Sequence, residues 1–168
     1  MSKGFSNQIK ESNMNVVLLD GAQHMITCTL LEYLDKIIIN MAVDGEIDIS
    51  YDIQVPELNV IEKPVRKYDY DFEDEEEETR DDRIPVKEEE CLNSTIIPTV
   101  LIGAGHTLKN QVLASQIGHM MAQHTNKNII LNMSGKLFGK PSAQSEYHEK
   151  DSELLTMAKH LIAQTYLV

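Results

Sequence analysis

The stretch Thr99–Leu137 decides the fold, and it reads TVLIGAGHTLKNQVLASQIGHMMAQHTNKNIILNMSGKL. Thr99–Ile102 is a short apolar run rich in β-branched residues, and Thr107–Thr125 places apolar residues at helical spacing. A polar break then separates this helix from a second strand-like run, Ile129–Met133. The stretch therefore predicts a strand, a helix and a strand, with Thr107 as the N-cap of the helix.

The predicted helix carries two apolar stripes. At about 100° per residue, the broader one should cover a sheet, and it contains Leu113, Ala114, Ile117, Met120, Met121 and His124. The narrower stripe lies roughly opposite and contains Leu108, Val112, Ser115 and His119. Periodicity leaves two interpretations of this narrower stripe open, namely packing against a neighbouring loop or second helix, and contact with another chain. We keep its four residues as a hypothetical partner interface.

Four alternating runs upstream predict an antiparallel meander. They are Met14–Leu19, Gln23–Leu31, Lys36–Val43 and Glu46–Val55. Asp-Gly pairs at positions 20–21 and 44–45 favour tight hairpin turns. A last amphipathic helix is predicted from about Asp151 to near the end of the chain. The expected fold class is α+β, an antiparallel meander followed by strand, helix, strand and helix, with both helices packed on the sheet.

Charge is concentrated in one part of the chain, whose 168 residues fit one domain. Of the net charge of −12, a net −10 lies between Asp69 and Glu90, with thirteen Asp or Glu against three Lys or Arg. A block this charged buries too little apolar surface to fold, so residues 62–94 are predicted to be a disordered acidic insert. Residues 1–13 are predicted to be a flexible arm before a domain at 14–168. The acidity argues against nucleic-acid and membrane partners.

Cysteine content and hydropathy predict a protein of a reducing compartment. Cys28 and Cys91 are too few for a disulfide framework and lack the spacing of a metal site, and Cys28 is expected in the core. The first residues lack the apolar core of a signal peptide, and no apolar run approaches the ~20 residues of a membrane span. We therefore expect a cytoplasmic or nuclear location.

The strongest chemical motif is the sequence GAGHT at Gly103–Thr107. A glycine-rich turn from strand to helix can hold phosphate at the helix N-terminus. This one lacks the third glycine of a dinucleotide fingerprint and the Gly-Lys-Ser/Thr of a P-loop, so a tight turn of small residues is the competing interpretation. His119 and His124 point about 140° apart on a helix and cannot share a metal ion. We predict no catalytic residue, no cofactor and no metal site.

Three segments together resemble a known family. They are ITCTLLEYLDKIIINMAVDG at 26–45, PTVLIGAGHTLKNQVLASQIGHMMAQ at 98–123, and NIILNMSGKL at 128–137 before the terminal helix. Their pattern of apolar residues and turns is similar to the proteasome assembly chaperone 3 family, in particular its fungal form. The similarity covers most of residues 14–168 and excludes the acidic insert, which is longer than the loop expected there.

The resemblance implies a non-enzymatic chaperone with an antiparallel sheet and two helices. It also implies a heterodimer with proteasome assembly chaperone 4, which binds the α5 subunit while the α-ring of the 20S proteasome forms and leaves before the core particle matures. The family defines no catalytic residues to assign to this chain. Two other classes stay open: a roadblock- or longin-like α+β adaptor in trafficking or GTPase regulation, and a phosphate or nucleotide binder at Gly103–Thr107.

Overall fold

The computed structural model describes residues 9–55, 96–103, 107–139 and 148–167. The described residues form a six-stranded sheet with two helices, which confirms the predicted α+β class. The predicted acidic insert lies outside them, as does Cys91. The strands are β1 Ile9–Val17, β2 Gln23–Glu32, β3 Lys36–Val43, β4 Ile49–Ile53, β5 Thr99–Ile102 and β6 Asn128–Met133. The helices are α1 Leu108–Ala122, a short 3-10 helix Gly135–Phe138, and α2 Asp151–Leu167.

The strand order is β1-β2-β3-β6-β4-β5, so the predicted four-stranded meander is wrong at its last step. Asp44 and Gly45 do form a tight turn, with φ of 52° and 81°, but only an isolated bridge between Val43 and Glu46 follows before the strands separate. β6 lies between them, parallel to β3 and antiparallel to β4. A helical crossover returns a chain parallel to its starting strand. Here α1 contacts β4 as it connects β5 to β6, which places β6 beside β3.

Both helices cover the same face of the sheet, and the core lies between the helices and this face. Alternate strand residues point to this face because successive side chains of a strand alternate. The buried ones include Ile26, Cys28, Leu30, Ile37, Ile39, Met41, Tyr51, Ile53, Ile129, Leu131 and Met133. The helices contribute Leu113, Ala114, Ile117, Met121, Leu154, Ala158, Leu161 and Ile162. The predicted core face of α1 is thus confirmed, except that His124 is exposed.

α1 comes close to the sheet at Gly118, which is buried. A Cβ atom at this position would lie 2.8 Å from methyl carbons of both Ile53 and Ile96. These contacts are shorter than the ~3.5–4.0 Å optimum between carbon atoms. The absence of a side chain therefore sets how near α1 lies to β4 and to the segment that precedes β5.

Two segments were assigned wrongly from the sequence. β1 begins at Ile9, so Ile9–Asn13, predicted as part of a flexible arm, belongs to a strand that pairs with β2 from Ile9–Leu31 to Val17–Gln23. Its polar composition gives a weak strand signal, and the pairing with β2 overrides it. The glycine and serine content of Ser134–Glu149 predicts a loop, but Gly135–Phe138 forms a 3-10 helix that buries Leu137 and Phe138.

Candidate interaction surfaces

The sheet face opposite the helices, here called the open face, is not covered by any described element. Its side chains are the strand residues that alternate with the core residues. Registered pairs align four apolar residues across β1, β2, β3 and β6, because Ile9 pairs with Leu31, Leu31 with Ile38, and Ile38 with Ile130. Ile9 is 66% exposed and the other three are partly buried. We call these four residues the apolar row.

A polar row runs beside the apolar row and consists of Thr29, Asn40, Asn132 and Ser50. The Ser50 hydroxyl donates to Asn132 Oδ1 at 2.7 Å, and Asn132 Nδ2 donates to Asn40 Oδ1 at 2.8 Å. Three side chains on three strands therefore satisfy part of one another's hydrogen-bonding capacity. Another chain can cover this part of the open face at a lower desolvation cost than it would meet over unpaired amides and hydroxyls.

A second uncovered surface lies at the β5 edge of the sheet. Among the described residues, eleven large apolar side chains are exposed, and five of them fall between positions 97 and 112. These five are Ile97, Leu101, Ile102, Leu108 and Val112, with exposed fractions between 37% and 74%. We call them the apolar corner. So large a share of the exposed apolar side chains in one short segment is typical of an interaction surface.

The predicted stripe on α1 forms one side of this corner. Leu108 is 72% exposed and Val112 37% exposed, so neither is a core residue. The Ser115 hydroxyl donates to the carbonyl of Ile96 at 2.8 Å, which ties the stripe to the segment that enters β5. His119 is exposed on the outer surface of the helix layer, beside a shallow groove between α1 and α2. The stripe therefore offers three exposed side chains, while Ser115 is bonded within the chain.

The turn from β5 to α1 begins with a glycine in the left-handed region. Gly103 has a φ of 87°, and a Cβ there would lie 2.0 Å from the backbone oxygen of Asp48. This geometry favours the tight-turn interpretation of the glycine-rich motif at Gly103. Residues 104–106 lie outside the described part of the chain. Thr107 occupies the N-cap position as predicted, but its side chain makes no capping hydrogen bond.

A charged cluster joins the two Asp-Gly turns at positions 20–21 and 44–45. His24 Nδ1 lies 2.6 Å from an Asp44 carboxylate oxygen, and Nε2 lies 2.9 Å from one of Asp20. Both ring nitrogens face acceptors, so the protonated imidazolium fits the site. Hydrogen bonds to Asp44 and Asp20 raise the pKa of His24 above its ordinary value. The pKa of Asp20 is lowered by the hydrogen bond from the Ala22 backbone N–H and then by that from His24, whereas the pKa of Asp44 is lowered first by His24 and then by the Met25 N–H.

The described residues carry few features of a metal, membrane or thiol site. No group of three or more His, Cys, Asp or Glu residues there could hold a metal ion. Neither described α-helix is long and apolar enough to cross a membrane. Burial raises the pKa of the Cys28 thiol, which lies in the core as predicted. The two uncovered apolar surfaces are thus the strongest functional features of the described chain.

Sequence reasoning found the α1 stripe but missed both the apolar row and the β5 side of the corner. The row gains Ile130 because β6 lies beside β3, where the predicted meander placed β4, and it gains Ile9 from the segment predicted as a flexible arm. The exposed side chains of β5 follow from its position at a sheet edge, which a strand pattern alone does not reveal. Prediction of the full row would have required the pairing of β3 with β6, and that pairing depends on the crossover through α1.

Comparison with known proteins identifies the family. Residues 1–163 match the family model described as 20S proteasome chaperone assembly proteins 3 and 4. The chain belongs to this family. A solved structure titled "Crystal Structure of a Novel Chaperone Complex for Yeast 20S Proteasome Assembly" contains a chain with a similar fold, at a TM-score of 0.60 and 16% identity. That match covers 95% of this proteasome assembly chaperone and 98% of the yeast chain. No curated protein sequence gives a significant match.

Proposed function

We propose that this protein is a non-enzymatic chaperone of the chaperone 3 type, which forms a heterodimer with proteasome assembly chaperone 4. The pair binds one subunit of the 20S α-ring, α5 by analogy with the family, and leaves before the core particle matures. The family match over residues 1–163 is the observation that carries this proposal. The two uncovered surfaces support it, since such a chaperone needs one contact with its partner and another with its client.

The open face is the better candidate for the contact with chaperone 4. An antiparallel sheet with helices on one face can leave its other face in water, but an aligned row of apolar residues on that face favours contact with a second chain. Burial of Leu31, Ile38 and Ile130 against another chain removes apolar area from water. The hydrogen bonds within the polar row reduce the desolvation cost of covering the rest of the face.

The apolar corner is then available for the α subunit. It lies at the outermost strand and along α1, so a client bound there meets a chain on the open face only at the β5 margin, where Ile102 projects. The predicted interface residues Leu108, Val112 and His119 belong to this side of the molecule. We therefore refine the interface hypothesis by assigning the α1 stripe to the proteasome subunit.

Release by competition is the simplest mechanism for a chaperone without nucleotide chemistry. The sequence contains no P-loop or other nucleotide-hydrolysis motif that would drive release. A subunit that joins the ring later and covers the same client surface would displace the pair. If ATP alone released the purified heterodimer from its α subunit, this mechanism would be wrong.

Reconstitution with purified chaperone 4 and individual α subunits tests the function and separates the two surfaces. Leu108→Asp with Val112→Asp should weaken binding of the α subunit and leave the heterodimer intact. Leu167→Asp is the matched control, because Leu167 and Leu108 are both 72% exposed and Leu167 lies at the end of α2. Ile38→Lys, in the middle of the apolar row, should weaken the heterodimer.

Size-exclusion chromatography with light scattering would report both complexes, and circular dichroism would confirm that each variant is folded. The expected result is a separate loss for each surface and no loss for Leu167→Asp. If the wild-type chain bound neither chaperone 4 nor any α subunit, the proposed function would be contradicted. Loss of helix content in the double Asp variant would show that Leu108 and Val112 stabilise the fold instead.

A further inference from the structure

Within the described part of the chain, β5 is a strand with one side left unpaired. Among the described residues it pairs only with β4, and it ends the strand order of the sheet. Alternate residues of an antiparallel strand direct their N–H and C=O groups to opposite sides, so part of the β5 backbone faces away from the sheet. Such an edge is a template for another extended chain.

The two edges of this sheet differ in how they are protected. β1, at the opposite edge, carries Lys10 and Glu11 among polar neighbours, and charged residues on an edge oppose pairing with foreign strands. In contrast, residues 91–108 contain no Asp, Glu, Lys or Arg, in a chain of which 25% is charged. β5 itself exposes Leu101 by 51% and Ile102 by 68%. The β5 edge therefore has no charged side chains that would oppose pairing with another strand, whereas β1 has two.

Apolar side chains flank this edge on both sides of the sheet. Ile102 pairs with Ser50 and so projects on the open face, whereas Val100 pairs with Tyr51 and projects toward the helices. A bulge between these two pairs makes Leu101 the extra residue of the strand. Leu108 and Val112 lie on the helix side, because Ser115 on the same stripe is bonded to Ile96 just before β5.

We infer that the β5 edge binds its partner by strand addition, with an extended segment of the proteasome α subunit pairing along Thr99–Ile102. This inference rests on the proposed function and specifies how the apolar corner is used. The segment is uncharged and carries apolar side chains at successive positions, because successive side chains of a strand project to opposite faces. On one face these contact Ile102, and on the other they contact Leu108 and Val112. Pro98 lacks an N–H and limits the pairing at its start, so the apolar contacts must supply much of the affinity.

Hydrogen exchange of the backbone amides distinguishes strand addition from contact through side chains alone. The heterodimer with chaperone 4 would be measured with and without the α subunit, by mass spectrometry of peptides that cover residues 96–103. We expect the outward-facing amides of β5 to exchange at least ~10-fold more slowly in the ternary complex, because a hydrogen-bonded amide exchanges only on local opening. Amides of β1 at the other edge should be unchanged.

Ile102→Lys provides the second measurement, since it places a charge on the edge at a side chain that is 68% exposed and outside the core. It should lower the affinity for the α subunit at least ~10-fold, because the lysine would have to be buried without a partner. Leu34→Lys is the control, in the exposed turn between β2 and β3, and it should change the affinity less than ~2-fold.

Slower exchange in β5 together with weaker binding of Ile102→Lys would support strand addition. Normal binding of the α subunit without protection of the β5 amides would overturn strand addition and leave the proposed function intact. If the β5 amides were instead protected in a complex of two copies of this chain, or in the heterodimer with chaperone 4 alone, the edge would bind that partner. Either result would overturn the inference. If no α subunit bound at all, both the proposed function and this assignment of the β5 edge would be wrong.

Discussion

Replacement of Gly103 by alanine tests how the β5 edge and the start of α1 are held in place. Because φ is 87° at this position, an alanine in the left-handed region should lower the free energy of unfolding by about 1–2 kcal/mol. Its Cβ would also lie 2.0 Å from the backbone oxygen of Asp48, whereas carbon and oxygen atoms normally approach to about 3.3 Å. The obstacle is backbone, so rotation of a side chain cannot relieve it.

Relief of this contact requires β5 and the start of β4 to separate by more than 1 Å, a shift that follows from the 2.0 Å distance and the ~3.3 Å normal limit. Such a shift weakens the pairing of Ile102 with Ser50. An overpacking cost of about 1–3 kcal/mol adds to the backbone cost, for a total of about 2–5 kcal/mol. For a chain of this size the melting temperature should fall by roughly 10 °C.

Gly21→Ala is the matched control for this prediction. Gly21 has a φ of 78°, but a Cβ there would meet no atom within 4 Å. Alanine at this position should therefore lose only the stability that the left-handed backbone conformation costs. Urea unfolding monitored by circular dichroism gives the free energy of unfolding of both variants. We expect Gly103→Ala to be less stable than Gly21→Ala by at least ~1 kcal/mol. Equal stabilities would refute the close approach of Gly103 to Asp48.

Three further predictions concern the interior and the turns. His24→Gln should remove a pH-dependent part of the stability: the raised pKa of His24 means that this contribution is complete below its ordinary value of 6.5 and is lost as the pH rises through the raised value. Denaturation across that pH range should show the step only in the unsubstituted chain. Lys109→Met should cost about 3 kcal/mol, because it leaves the carboxylate of Asp151 buried without the amine that lies 2.8 Å away. Adding Asp151→Asn should recover part of the loss, and a fully stable single variant would contradict the ion pair. Gly118→Ala should fail to give the ~1 kcal/mol gain of an exposed helix site, because its Cβ would contact two isoleucine methyl groups at 2.8 Å. A calorimetric gain of that size would refute the tight packing of α1.

Local structure followed from the sequence wherever one pattern dominated. β3 and β5 have the predicted bounds, and α2 begins at Asp151 as expected. These segments have clear periodicity with turn residues or charges at their ends, and local chemistry was sufficient. The polar first half of β1 has no such pattern, and its pairing with β2 was needed to reveal it.

The strand order did not follow from the sequence. The Asp44-Gly45 turn predicted a hairpin, and a turn of the expected kind is present, but the strands it joins diverge around β6. Turn residues specify geometry over a few positions, whereas the neighbour of β3 depends on the crossover through α1. The same long-range dependence explains the candidate site. Periodicity identified the stripe at Leu108 and Val112, but the apolar row and the exposed edge of β5 depend on which strands are neighbours.

Affinity purification of the tagged chain from its native cells, followed by mass spectrometry, tests the central claim most directly. The account predicts recovery of one second small α+β protein of the chaperone 4 type together with 20S α-ring subunits, and without mature capped particles. Recovery of trafficking or GTPase-regulating complexes, with no proteasome subunit, would contradict it.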